Sequence, residues 1–193
     1  MNNPLDRLGW QDLQEMVGGC RLCRLCESRT NTVFGEGALN PPLMFVGEGP
    51  GHHEDQSGRP FVGRAGQLLT RMIEAMQFKR SEVFIGNIVK CRPPENRNPQ
   101  EDEAAACLPY LNRQIDLVQP QILILLGAVP MRCLLGLTGI TKLHGNFYEY
   151  RGITTMPTYH PSYLLRAQHK KREAWQDLQK VMLRLGRDIM FST

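Results

Sequence analysis

The sequence predicts an α/β fold built on a parallel or mostly parallel sheet. Apolar runs of strand length recur along the chain, segments with helical spacing lie between them, and most of the runs end in Gly or Pro. With 193 residues, one domain, or one domain with a small appendage, is expected, because single cores organise at roughly 100 to 200 residues.

Four segments read as buried central strands: residues 43–46, 83–89, 122–126 and 154–158, each short and apolar or β-branched. Between the first two, Leu68, Leu69, Met72, Ile73 and Met76 recur at helical spacing, with Gln67, Arg71 and Glu74 on the opposite face. A second helix is announced by Asn98 as N-cap, Pro99 in the first turn, and Glu101, Asp102 and Glu103 beside the positive end of its dipole. It should run to about residue 120, kinked at Pro109. Further helices are expected over about 129–135 and 173–185, the latter with Trp175, Leu178, Val181, Met182 and Leu185 as its apolar stripe. Residues 1–33 read as a short helix and a Cys-rich loop, an appendage held by whatever its cysteines bind.

Hydrophobic residues make up 41% and charged residues 22%, a balance that excludes disorder, collagen and coiled coil. No h-region opens the chain and no run reaches the roughly 18 apolar residues of a membrane span, so a cytoplasmic protein with no membrane contact is expected. A formal charge of +4 permits a polyanionic partner without demanding one. Affinity for nucleic acid must come from local patches.

Six cysteines in an intracellular chain call for something other than disulfides. Cys20, Cys23 and Cys26 form C-x2-C-x2-C, Cys91 and Cys107 lie further along, and Cys133 sits alone in an apolar helix, where a free buried thiol suffices. Two of the first three with Cys91 and Cys107 make four ligands; which of the three drops out is open at this point, Cys20 and Cys23 being the first choice and Cys26 the spare. Spacing leaves zinc and an iron-sulfur cluster both open, and the larger cluster bridges scattered ligands more easily.

Ligands of open α/β sheets bind outside the carboxyl ends of the strands, and three loops there are unusual. The first reads GEGPGHHED and continues through GRPFVGRAG into a helix, its glycines letting backbone N–H groups approach a ligand; it lacks the Lys-Ser/Thr of a nucleotide-phosphate loop. The second carries Asn87, whose amide suits a pyrimidine edge or, equally, a turn. The third, His160-Pro-Ser-Tyr-Leu-Leu-Arg166, places Leu164 and Leu165 beside Arg166 and the basic run His169, Lys170, Lys171, Arg172. An apolar wedge among cations is what enters a duplex and replaces an extruded base.

Together GEGPG, GRPFVGRAGQLL, Asn87-x3-Cys91-Arg-Pro-Pro and HPSYLLR resemble the family 4 uracil-DNA glycosylases, the iron-sulfur branch of that superfamily, in order from Cys20 to Arg166. The resemblance implies a single domain over 1–193, three-layer αβα with a central four-stranded parallel sheet. It implies a [4Fe-4S] cluster on Cys20, Cys23, Cys91 and Cys107, and a monomer acting on uracil-containing DNA, single- or double-stranded, without a nucleotide cofactor and associated with the nucleoid. His160 would donate to uracil O2 as negative charge develops there, helped by the backbone around Glu48 and Gly49. Phe61 would stack on the flipped base, Asn87 would read its O4 and N3–H edge, and Leu164 or Leu165 would fill the gap, with Arg166, Lys170 and Lys171 on the DNA.

Other branches carry an Asp that positions water and a Tyr that excludes the thymine methyl; Gly49 and Gly51 stand at those positions here. Water activation then falls to Glu54 or Asp55, or to a loosely held water attacking a formed cation, and thymine rejection to Glu48. Competing readings are a non-catalytic DNA-binding module, which should lack Phe61, Asn87 and His160, and an adduct-forming relative, for which His144 is the nearby nucleophile.

Overall fold

The computed structural model describes residues 4–189. Six strands, β1 (Glu36–Gly37), β2 (Leu43–Gly47), β3 (Phe84–Asn87), β4 (Ile122–Leu126), β5 (Tyr148–Tyr150) and β6 (Ile153–Thr158), form one sheet in the order β1-β3-β2-β4-β6-β5. The four inner strands are parallel, and β1 and β5 pair antiparallel at the edges.

The sheet is therefore mixed and six-stranded, where four parallel strands were expected. The edge strands are two and three residues long, Glu-Gly and Tyr-Glu-Tyr. Such short stretches carry no readable period; they are extended because a neighbouring edge offers its hydrogen-bonding groups.

Side chains alternate across the inner strands, and both faces are apolar. Met44, Val46, Leu123 and Leu125 pack on one side with Leu13 and Val17 of α1 (Trp10–Gly18), Leu111 and Ile115 of α4 (Glu101–Val118), and Leu134 of α5 (Ala128–Leu135). Leu43, Phe45, Ile122 and Ile124 pack on the other with Leu69 and Ile73 of α3 (Arg64–Ala75) and Leu178 and Val181 of α8 (Lys171–Arg184). Two-sided burial explains why these strands read as continuous apolar runs.

Three other local expectations are corrected. The strand expected over 83–89 ends at Asn87: Ile88 donates to Gly47 O at 2.9 Å as a ladder residue would, but the next residue, Val89, also donates, to Glu48 O at 3.1 Å, which breaks the alternation of a strand. Helix α4 starts at Glu101 with Gln100 as N-cap, because the Glu103 carboxylate folds back on Gln100 N–H at 2.8 Å, and Pro109 does not interrupt it. Part of the first loop is helical, α2 (His52–Ser57), with Glu54 Oε2 accepting from Gly51 N–H.

The N-terminal segment does more than hang on its cysteines. Trp10 stands edge-on to Phe34 and Phe84, and Arg113 Nε donates to Leu8 O at 2.9 Å. No described helix is long and apolar enough to cross a membrane.

Candidate active site

β3 lies on one side of β2 and β4 on the other, so the chain reverses direction across the sheet between β2 and β4. A crevice opens there at the carboxyl ends. Loops after β2, β3, β4 and β6 close it into a cavity of about 440 Å³ whose wall includes Glu48, Phe61, Asn87 and His160.

Asn87 ends β3, opposite Gly47 in the parallel register. It is 1% exposed, and its Oδ1 is a buried side-chain acceptor with no partner among the described residues. A buried acceptor left open costs about 1–3 kcal/mol, so a donor is expected to fill it.

Phe61 is held in a left-handed conformation, φ 50°. The Glu54 carboxylate grips the next two backbone N–H groups, of Val62 and Gly63, at 2.9 Å each, and Arg80 donates to Pro60 O at 2.6 Å. The ring then lies 5.7 Å from that of His160. Gly47 makes the arrangement possible, since a Cβ there would sit 2.4 Å from Asn87 Oδ1 and 2.5 Å from Phe61 Cζ.

His160 caps α7 (Pro161–Arg166), its Nδ1 accepting from Ser162 N–H at 3.1 Å and facing Ser162 Oγ at 2.7 Å. With Nδ1 an acceptor, the neutral ring carries its proton on Nε2. Burial above all, then the Arg166 cation, holds its pKa down to about 4 against the opposing pull of Glu54. The imidazole is thus a neutral donor at ordinary pH.

Of the three acidic candidates, only Glu48 keeps a carboxylate without a hydrogen-bond partner among the described residues. Burial raises its pKa to about 6, the Arg132 cation opposing. Glu54 lines the cavity, but its oxygens are committed to three backbone N–H groups. Asp55 faces away: it is 2% exposed, and its Oδ1 accepts from Thr30 and Asn31 N–H. Its expected part in water activation is corrected to one of tying the N-terminal segment to α2.

The wedge loop divides. Leu164 is 1% exposed and packs with Leu68, Tyr159 and Ala174, so it is core and not a surface wedge. Leu165 is only partly buried, and Arg166, Lys171 and Arg172 are exposed, with Arg166 on the cavity wall. Lys170 is held 2.7 Å from Glu173. His144, the nucleophile of the adduct-forming reading, is instead turned to Asp177 at 2.8 Å and does not line the cavity.

A second cleft gathers Cys20, Cys23, Cys26, Cys91 and Cys107, while Cys133 packs elsewhere against the core. Arg29 Nη1 lies 3.1 Å from Cys91 Sγ, and burial pushes the Cys107 thiol up to about 12. Among the described residues no three His, Cys, Asp or Glu side chains are set to converge on one ion. Beside the thiols, Lys90 is buried, its Nζ 3.0 Å from Asn87 O and 2.5 Å from Gln114 Oε1.

The model of the uracil-DNA glycosylase superfamily matches residues 34–179. The chain is 44% identical over 181 residues to a type-4 uracil-DNA glycosylase of Sulfurisphaera tokodaii, covering 89% of this chain and 82% of that one. It is 44% identical over 173 residues to that of Thermotoga maritima (87% and 90%) and 43% identical over 179 residues to that of Saccharolobus solfataricus (88% and 83%). The chain belongs to the type-4 family of the uracil-DNA glycosylase superfamily.

Within this superfamily the geometry accounts for the two glycines of the first loop. A Cβ at Gly49 would meet Val89 Cγ2 at 2.7 Å and one at Gly51 would meet Glu54 Oε2 at 2.8 Å. A side chain at either position requires its neighbour to shift. Sequence reasoning missed Gly127, whose φ of 96° and whose Cβ position, 3.0 Å from His160 Cβ, let β4 end against the imidazole. Its Leu126-Gly127 punctuation after a strand was the available signal. It also missed Asn96, Arg97 and Asn98, which reach the cavity wall beyond Pro93 of the Asn87 motif.

Proposed function

We propose that this protein excises uracil from DNA, hydrolysing the N-glycosidic bond and leaving an abasic site. The observation that carries the reading is Asn87: a buried Oδ1 without a partner among the described residues, in the same cavity as a stacking ring and a neutral imidazole donor. Oδ1 accepts from uracil N3–H while the amide nitrogen donates to O4. Cytosine presents the reverse pattern, and a site that hydrogen-bonds its substrate rejects such an analogue by about 10⁴-fold or more.

As the C1′–N1 bond breaks, its electron pair leaves with uracil and the sugar becomes an oxocarbenium ion. His160 Nε2–H stabilises the charge on uracil O2. Water adds to C1′ and gives its proton to Glu48, whose pKa near 6 suits a base at neutral pH. A neutral donor is preferable to an imidazolium here, because burial disfavours the charged ring in the free enzyme. Leu165 fills the gap left in the stack, and Arg166, Lys170 and Lys171 hold phosphates once Lys170 exchanges Glu173 for DNA.

The cysteine cleft fits an iron-sulfur cluster. Its thiols come from the N-terminal loop, the residue four places after β3 ends, and α4, and a cluster larger than one ion bridges such scattered ligands more easily. Cys20, Cys23, Cys91 and Cys107 are the proposed ligands of a [4Fe-4S] cluster, with Cys26 outside the set. When bound, the cluster supplies a cross-link between the N-terminal loop and the sheet.

The test is incubation of iron-replete protein with a uracil-containing oligonucleotide, then alkaline strand cleavage. Cleavage at uracil and not at thymine or cytosine is expected; binding without cleavage would favour the non-catalytic module. Cys91→Ser or Cys107→Ser should lose iron, sulfide and visible absorption, and Cys133→Ser none of these. Tightly held zinc without iron or sulfide in anaerobically purified protein would overturn the cluster.

A further inference from the structure

Lys90 is a lysine that folding has placed where lysines are rarely found. It is 1% exposed, and a lone buried ammonium costs several kcal/mol unless it is paired. Its Nζ reaches two neutral acceptors, Asn87 O at 3.0 Å and Gln114 Oε1 at 2.5 Å, and Gln114 is itself fixed by donating to Phe34 O at 2.8 Å. Among the described residues no carboxylate balances it. Lys90 lines the same cleft as Cys91 and Cys107, where thiolates of a filled centre would stand beside it. The backbone is committed nearby: Lys90 O accepts from Val33 N–H at 2.7 Å.

One residue therefore touches the cysteine cleft, the carbonyl of the proposed base reader, and the segment that follows the Cys-rich loop. We infer that Lys90 is a positioning residue whose buried cation is balanced by the thiolates of the cysteine centre and in turn pins Asn87 at the floor of the base pocket. Base recognition is then coupled to the centre through one side chain. The inference rests on the uracil-reading role of Asn87 and on the cluster proposed above.

The experiment measures how strongly iron-replete protein prefers a duplex with a non-cleavable uracil nucleotide over the same duplex with an abasic analogue. That ratio reports base reading separately from grip on the DNA backbone. Lys90→Met should lower it about tenfold in protein of wild-type iron content, and should lower the midpoint potential of the centre, since removing a nearby cation disfavours the reduced, more negative state. In an Asn87→Ala background Lys90→Met should leave the ratio unchanged, which a merely structural role would not predict. Should Lys90→Met fail to fold, Gln114→Glu decides: it keeps Lys90 and offers it a carboxylate, and should lower the ratio at least threefold. A wild-type ratio in the variant that folds, or an equal drop in the Asn87→Ala background, overturns the inference. A wild-type protein with no preference for uracil, or without iron, would instead sink the function or the cluster beneath it.

Discussion

Gly47→Ala isolates the geometry of the base pocket with a single methyl group. The glycine is needed for space and not for an unusual φ, because its Cβ would stand 2.4 Å from Asn87 Oδ1 and 2.5 Å from Phe61 Cζ, about an ångström short of the roughly 3.5 Å at which such atoms attract. Neither neighbour yields easily. Asn87 is locked opposite residue 47 by the β2–β3 ladder, and Phe61 is held by the grip of Glu54 on the two residues after it and by the backbone of Gly66, where a Cβ would collide with Phe61 O. Overpacking of this kind costs about 1–3 kcal/mol. If the whole chain absorbs it, Tm falls by roughly 2–4 °C per kcal/mol in a domain of this size. If the pocket absorbs it, ring and amide shift by about 1 Å and the excision rate drops on the order of 10²-fold. Single-turnover excision from a uracil oligonucleotide, with a thermal melt alongside, separates the two. A variant that excises at the wild-type rate with a wild-type melt would refute the claim that Phe61 and Asn87 flank the base.

Other expectations follow from the same groups. Excision should fall as pH drops below about 6, where Glu48 takes up a proton, and Glu48→Gln should be slow and lack that limb; an unchanged profile would remove Glu48 from water activation. His160 carries a folded pKa of about 4 against roughly 6.5 unfolded, so the unfolded chain binds the proton more readily. Its contribution is full above about 6.5 and wanes as pH falls toward 4, by roughly 3 kcal/mol in total. His160→Gln should flatten that stretch of a denaturation series and cut single-turnover excision by about 10² to 10³-fold. Leu164→Ala should cost about 2–5 kcal/mol of stability and reduce activity alike on single and double strands. Leu165→Ala should leave the melt nearly unchanged and lose more activity on duplex, where extrusion must pay for a stack; equal losses on both substrates would reject the wedge.

How far the sequence reaches is visible in particular residues. Residues 122–126 were legible as a strand to the residue, because a strand buried on both faces must be apolar throughout. Asn87, Phe61 and His160 were legible as a set because each belongs to a motif of fixed chemistry, and the fold brings all three to one cavity. Leu164 and Leu165 were not separable: two adjacent leucines on a one-and-a-half-turn helix look alike until α3 and α8 cover one of them. Asp55 and Glu54 were equally indistinct, since a carboxylate's role depends on which N–H groups reach it, and those come from residues up to 25 positions away. The edge strands exist only because an inner strand left its hydrogen-bonding edge open. Lys90, one more cation in the string, became a buried ammonium only when β3 and α4 closed over it. Period, punctuation and motif are local properties of a chain and travel with it; burial, charge partners and the space around a Cβ belong to pairs of distant residues, and only the folded molecule brings such pairs together.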